Sequence, residues 1–199
     1  APAYISLLDR LDPSERKFGD VWSIVSAPEG MYLSATERLI LYNPATGVRT
    51  WKTSGRFRRA FPIDGVLHVQ VTGLGLHRLR GETLELAPGG SVFERLDVRG
   101  VYRSGRGNVI ATSKGFFLQT STGFEEISSP ASRFVGENLL YSVAQLSGGL
   151  VALGTARGGF VLASTNGDLL RSFSKSSGLP SDYVAAIAPD RQGGVWLAT

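Results

Sequence analysis

The sequence predicts an all-β fold, a β-propeller built from four-stranded antiparallel blades. Three observations carry that reading: turn signals that recur at one period, short apolar runs between them, and the weakness of helical periodicity. The first turn signal falls at Glu29-Gly30, Asp64-Gly65, Arg106-Gly107, Gly148-Gly149 and Gly193-Gly194. Successive copies lie about 35 to 45 residues apart, the length of one propeller blade. A threonine follows each of them, at Thr36, Thr72, Thr112, Thr155 and Thr199. A later turn signal closes four of the units, at Thr46-Gly47, Gly81-Glu82, Thr122-Gly123 and Asn166-Gly167.

Within a unit the strands follow in order. Two apolar runs flank the first turn, as in "VWSIVSA" and "MYLSAT", "LYSVAQL" and "LVALGT", and "YVAAIAP" and "VWLAT". Runs of this length, rich in branched and aromatic residues and bounded by Gly, Asp and Asn, are strand signals. A third strand follows the threonine ("LILYNP", "LHRLR", "FFLQTS", "FVLAST"). A fourth follows the later turn ("VRTWKT", "TLELA", "FEEIS", "LLRSFS"). The first two strands of each unit are nearly continuous apolar runs and are expected to be buried on both faces, nearest the propeller axis. The third and fourth carry Arg49, Lys52, Arg78, Glu85, Glu125 and Arg171 and are expected to be the outer, half-wet strands. Trp22, Trp51 and Trp196 are expected to wedge between adjacent sheets. Only Leu11 to Lys17, "LDPSERK", suggests a helical turn. The opening "YISLLD" reads as an outermost strand.

The totals bound the function. The chain has 199 residues, 42% of them apolar and 19% charged, enough to bury a core. It has no cysteine and only His68 and His77, which argues against a disulfide framework, a thiol nucleophile and a Cys- or His-rich metal site. No cofactor and no metal site are called for. The net charge is +4, and apart from "RFRR" at Arg56 to Arg59 the positive residues are scattered, so no nucleic-acid partner is expected. No stretch approaches the ~20 apolar residues of a membrane helix, and "APAYISLLDR" lacks the pattern of a signal peptide.

The closing stretch, "GLPSDYVAAIAPDRQGGVWLAT", resembles the two-component regulator propeller repeat. The residues that carry the resemblance are Gly178, Leu179, Pro180, Ser181, Val184, Ile187, Asp190, Gly193, Trp196 and Thr199; Ala198 stands where the family has Gly. "LGT" at Thr155, "VWSIVSAPEG" and "YNPATG" follow the pattern more loosely, and "FRRAFPIDG" and "VRGVYRSGRG" are degenerate. The resemblance implies a periplasmic sensor β-propeller of a bacterial signalling protein. It would be non-catalytic itself, joined to a membrane-linked output domain, a histidine kinase or a diguanylate cyclase. Its implied partner is a small-molecule ligand, with carbohydrate the suggested class. The motif residues themselves read as structural.

Two other classes stay open. One is a propeller enzyme acting on carbohydrate, a lyase or glycoside hydrolase, which needs a carboxylate pair at a set separation. Asp20, Glu37, Glu137 and Asp182 lie near strand ends, but no pair of them forms a recognisable motif, and solvated loop carboxylates are the plainer reading. The other is a protein-interaction scaffold. If a ligand site exists, propeller geometry places it on the loops leading into first strands and joining second to third strands. The candidates there are Arg157, Lys114, Arg58, Glu37 and Asp182, with Asp20, Arg38 and Asn138 beside them. Arg157, in "GTARGG", has the strongest case, because flanking glycines let the backbone approach a ligand. The full reading is one partial propeller over residues 1–199, in units near 19–54, 55–97, 98–132, 133–179 and 180–199. Its four and a half blades are expected to be a fragment of a seven-bladed propeller. Its open blade edges are a strand-pairing hazard that favours self-association.

Overall fold

A computed structural model describes residues 6–199. It contains, among those residues, four four-stranded antiparallel sheets and one two-stranded sheet, each a meander of consecutive strands. These are β-propeller blades. The chain divides into two compact units, one ending at Arg95 and one running Leu96–Thr199.

The first unit holds two blades. One is β1 (Val21–Ala27), β2 (Gly30–Ala35), β3 (Arg38–Asn43) and β4 (Gly47–Trp51); the other is β5 (Phe57–Ile63), β6 (Val66–Val71), β7 (Gly75–Arg80) and β8 (Thr83–Leu86). The first strands β1 and β5 lie side by side. Their shared core includes Tyr32, Leu39, Phe57, Val69 and Val71. Ahead of β1 come two 3-10 turns, Leu7–Arg10 and Pro13–Glu15. The second is the single turn expected at "LDPSERK". The first takes Leu7, Leu8 and Asp9 of the expected strand "YISLLD", because the Ser6 hydroxyl accepts the Leu8 N–H and closes a turn; Tyr4 and Ile5 lie outside the described residues. The Pro13–Glu15 turn is tied to the first blade through Arg38, which is 4% exposed. Its guanidinium reaches Glu15 Oε1 at 3.2 Å and donates to the Ser14 carbonyl at 3.0 Å.

The second unit holds β9 (Val98–Ser104), β10 (Gly107–Thr112), β11 (Gly115–Gln119) and β12 (Phe124–Ile127). The helix α1 (Pro130–Asn138) leads into β13 (Leu140–Gln145), β14 (Leu150–Thr155), β15 (Phe160–Ser164) and β16 (Leu169–Phe173). The hairpin β17 (Ala186–Pro189) and β18 (Val195–Ala198) follows. Again the first strands stack in series, β9 on β13 and β13 on β17. Helix α1 was not anticipated. It starts at a strong local signal, Ser129 then Pro130: the Ser129 hydroxyl accepts the Ser132 N–H, and Pro sits at the first helical position. Its Ala131 and Val135 are fully buried in the core with Phe116, Leu140 and Leu153.

Burial corrects the expected strand roles. The second strands β6, β10 and β14 are buried almost throughout, and third strands such as β11 match them, while the first strands alternate and the fourth are the wet ones. Second and third strands are flanked on both sides within the sheet, so their backbone polar groups are satisfied and apolar side chains can cover both faces. Trp196 also departs from expectation: it is 72% exposed, since the β17–β18 sheet has no further strand among the described residues to cover that face.

Two of the recurring threonines close turns. Thr112 and Thr155 are fully buried, and their hydroxyls donate to the carbonyls of Gly115 and Gly159 at 2.8 and 3.0 Å, closing the turn between second and third strands. The small residue before the threonine has a packing cause. A Cβ on Gly154 would meet the Ser142 hydroxyl first, and would stand 2.7 Å from Val184 Cγ1 and 2.9 Å from its Cβ. In the first strand β9, a Cβ on Gly100 would likewise stand 2.7 Å from Val143 Cβ. Gly154→Ala should therefore destabilise the chain by about 1–3 kcal/mol through overpacking. Urea denaturation measures this, and Val184→Ala in the same background should recover part of the loss.

Candidate functional site

In the first unit the turn between β2 and β3 meets the segments entering β1 and β5. Glu37 N–H donates to the Phe18 carbonyl at 2.9 Å, Thr36 N–H to Asp20 at 3.0 Å, and Phe57 N–H to Thr36 at 2.9 Å. Glu37 and Arg58 thus share one end of this unit. The Glu37 carboxylate stands 4.0 Å from Arg56, with both side chains more than half exposed, so the pair contributes little. Arg58 lies 4.2 Å above the Trp22 ring, whose indole N–H donates to Thr36 Oγ1 at 3.0 Å. Its charge is held on an aromatic face.

In the second unit the structure brings Arg157 and Asp182 to one end. Ala156 N–H donates to the Leu139 carbonyl at 2.9 Å, and Gly159 N–H to the Asp182 carbonyl at 2.9 Å. The Arg157 turn is therefore held between the end of α1 and the loop entering β17. Arg157 is exposed, and its guanidinium has no hydrogen-bond or ion-pair partner among the described residues. The Asp182 carboxylate is engaged locally, accepting the Lys175 N–H at 2.7 Å. Lys114, in the β10–β11 turn, is exposed and lines an open groove of about 320 Å³ with Ser129, Arg133 and Glu137 beside α1. Its carbonyl packs on Gly136, where a Cβ would approach to 2.8 Å.

Sequence reasoning missed a second kind of site. At the opposite end of the first unit, where β1 turns into β2 and β5 into β6, a cleft of about 280 Å³ opens between the two blades. Tyr32, Leu41, Leu67 and Leu79 line it, each no more than 9% exposed. Glu29, Arg49 and Trp51 also line it. Tyr32 OH donates to Glu29 Oε1 at 2.8 Å, and Arg49 reaches Glu82 Oε1 at 2.9 Å. Burial, followed by the hydrogen bond to Glu29 and its charge, raises the Tyr32 phenol above its ordinary value, and Arg49 opposes this. The cleft was invisible to a search guided by loops at the other end, because its polar residues come from a turn and an outer strand.

The residues described include no group of three His, Cys, Asp or Glu side chains that could hold a metal ion, and no helix long and apolar enough to cross a membrane. His68 is 5% exposed and donates from Nδ1 to the Val66 carbonyl at 3.0 Å. Burial lowers its pKa below the usual 6.5, with Arg78 adding to the effect and Val66 and Asp64 opposing it. Burial lowers His77 as well. The folded state thus holds these imidazoles neutral while the unfolded chain protonates them. Stability should be full above pH 6.5 and fall as pH drops through and below it. Urea midpoints measured between pH 5 and 8 should show that slope, reduced in His68→Gln.

The closing motif has a structural use at nearly every position. Gly178 takes φ 104° to end the 3-10 turn Lys175–Ser177. Ser181 Oγ accepts the Tyr183 N–H at 3.0 Å. Val184 is fully buried. Asp190 Oδ1 accepts the N–H groups of Gln192 and Gly194 at 2.8 and 2.6 Å, closing the hairpin. The family model described as "Two component regulator propeller" matches residues 178–199. No curated protein matches the chain. Among solved structures, the chain is similar to extracellular domains described for two hybrid two-component systems of B. thetaiotaomicron. One is 19% identical, with TM-score 0.74 over 96% of this chain and 27% of that one. The other is 17% identical, with TM-score 0.63 over 89% and 26%. The chain thus spans about a quarter of either domain's length. The β-propeller domain of Myceliophteria thermophila Cps50 (Swd1) is 11% identical, with TM-score 0.62 over 90% of this chain and 62% of that one, so the fold alone does not select a role. The chain is a β-propeller whose residues 178–199 form a two-component regulator propeller repeat.

Proposed function

We propose that the chain is part of the extracytoplasmic sensor propeller of a bacterial two-component or diguanylate cyclase signalling protein. It binds a small molecule and performs no chemistry itself. The repeat at residues 178–199 carries this reading. Its residues serve turns and packing, as befits a scaffold that holds loops in place. The extracellular domains of similar fold, described for hybrid two-component systems, support the same setting. The output lies in a membrane-linked domain, and the ligand, with carbohydrate the class the family suggests, meets exposed loop groups such as Arg157.

A thermal-shift screen of the chain against saccharides and other small metabolites tests this, run beside hydrolysis and lyase assays on a glycan panel. A bound ligand at 100 times its Kd adds about 2.7 kcal/mol to stability, a shift of several degrees. Stabilisation without turnover is the expected outcome. Turnover of a glycan overturns the non-catalytic reading, and no stabilisation by any compound favours a scaffold. Arg157→Ala should weaken the identified ligand about tenfold, the effect of losing one charge-assisted hydrogen bond.

A further inference from the structure

The cleft between the first two blades has a composition unlike that of the loop ends. Its floor is Leu41, Leu67 and Leu79, and Trp51 stands half-buried at its side, in ring contact with Tyr32 at 6.2 Å and an interplanar angle of 41°. One carboxylate and one guanidinium, Glu29 and Arg49, line the same cleft. Glu29 accepts from Tyr32 OH at 2.8 Å, and Arg49 meets Glu82 at 2.9 Å in an exposed ion pair. The Glu82 carbonyl accepts the Trp51 indole N–H at 2.8 Å, which holds the ring at the side of the cleft. Each held group keeps capacity for a ligand, because a carboxylate has two acceptor oxygens and a guanidinium five N–H donors. Gly65 and Gly81, at φ 76° and 57°, border the cleft with open space where a side chain would begin.

We propose that this cleft binds a free, zwitterionic α-amino acid with an apolar side chain. Glu29 takes the ammonium group, Arg49 takes the carboxylate, and the side chain lies on the leucines against Trp51. Paired opposite charges above an apolar floor complement such a ligand at both its ends. A neutral sugar would desolvate both charges without neutralising either. A simple cation would face Arg49, and a simple anion would face Glu29. At about 280 Å³ the cleft lies just under the ~300 Å³ at which drug-sized sites begin, so the ligand is small. The inference goes beyond the signalling reading and does not depend on it.

Titration of the whole chain with L-leucine and L-phenylalanine tests the proposal, read by calorimetry and by the indole fluorescence of Trp51. Trp51→Phe identifies which part of the signal comes from the cleft. The expected result is saturable binding. Leucinamide, which lacks the carboxylate, and 4-methylpentanoate, which lacks the ammonium, should each bind at least about tenfold more weakly. Arg49→Gln and Glu29→Gln, both at the exposed rim, should weaken leucine about tenfold and leave the thermal midpoint of the free chain nearly unchanged. Arg49→Gln should abolish the preference for leucine over leucinamide while keeping its preference over 4-methylpentanoate. No binding of either amino acid to the folded chain overturns the proposal. So does binding that both substitutions leave intact, or saturable binding of glucose that they weaken while the amino acids do not bind. The glycan screen is scored separately, so this site and the sensor reading fail independently.

Discussion

Each blade junction within a unit depends on one backbone arrangement, the turn that ends the second strand. In the second unit a buried threonine closes this turn with its own hydroxyl, and in the first the Thr36 hydroxyl reaches the Asp20 carbonyl instead. The carbonyls at the turn are then free to accept from the next blade. Thr36 accepts the N–H of Phe57, Ser113 that of Leu140, and Thr155 that of Val184. Each bond contributes about 0.5–1.5 kcal/mol, but the larger effect is registration. Once the N–H is caught, Phe57, Leu140 and Val184, all fully buried, enter the core at a fixed height. Side chains complete the seam. Ser142 Oγ donates to the Val184 carbonyl at 3.1 Å, and Gln145 bonds the Arg103 backbone through both its oxygen and its nitrogen.

The small residues follow from that registration. If Val184 must stand where the Thr155 carbonyl puts it, the residue before the threonine has no room for a side chain, and Gly154 supplies none. One junction earlier the first strands themselves approach this closely, Val143 of β13 leaving no room for a Cβ on Gly100 of β9. Tight strand-to-strand approach brings the first strands close enough to exclude water, which raises the value of every polar group that remains paired there. Helix α1 solves a local variant of the problem. Between β12 and β13 the chain carries Ala131 and Val135 into the core, and the Ser132 hydroxyl accepts the Phe116 N–H at 3.2 Å, so the helix replaces an extended link without leaving a donor unpaired.

Much of this was legible in the sequence, because turn glycines and buried threonines are dictated by backbone geometry and recur wherever the geometry does. The blade period and the strand order were readable for that reason. The start of α1 was equally local, in Ser129-Pro130, but the strand periodicity around it drew attention away. What escaped was set by nonlocal neighbours. Burial of the third strands depends on being flanked on both sides, exposure of Trp196 on which sheet face is covered, and the Glu29–Tyr32–Arg49–Trp51 cleft on two blades meeting. The loop candidates show the same limit: Arg157 and Asp182 come to one end, yet Asp182 is engaged with Lys175 and Arg58 with Trp22, which no spacing reveals.

A division of labour follows. The positions of the closing motif are ones the backbone needs: Asp190 closes a hairpin with two N–H bonds, Gly178 turns at positive φ, and Val184 fills a fixed gap. A change at any of them alters a junction and not merely a contact. Positions that differ between blades carry no such duty. At the site of Glu29 the other blades have Asp64, Arg106 and Gly148, and at that of Trp51 they offer no second indole. Ligand chemistry on this scaffold must therefore be written in the non-repeating residues. A search for function is best directed at the places where one blade departs from its copies, which is where Glu29, Arg49 and Trp51 stand together.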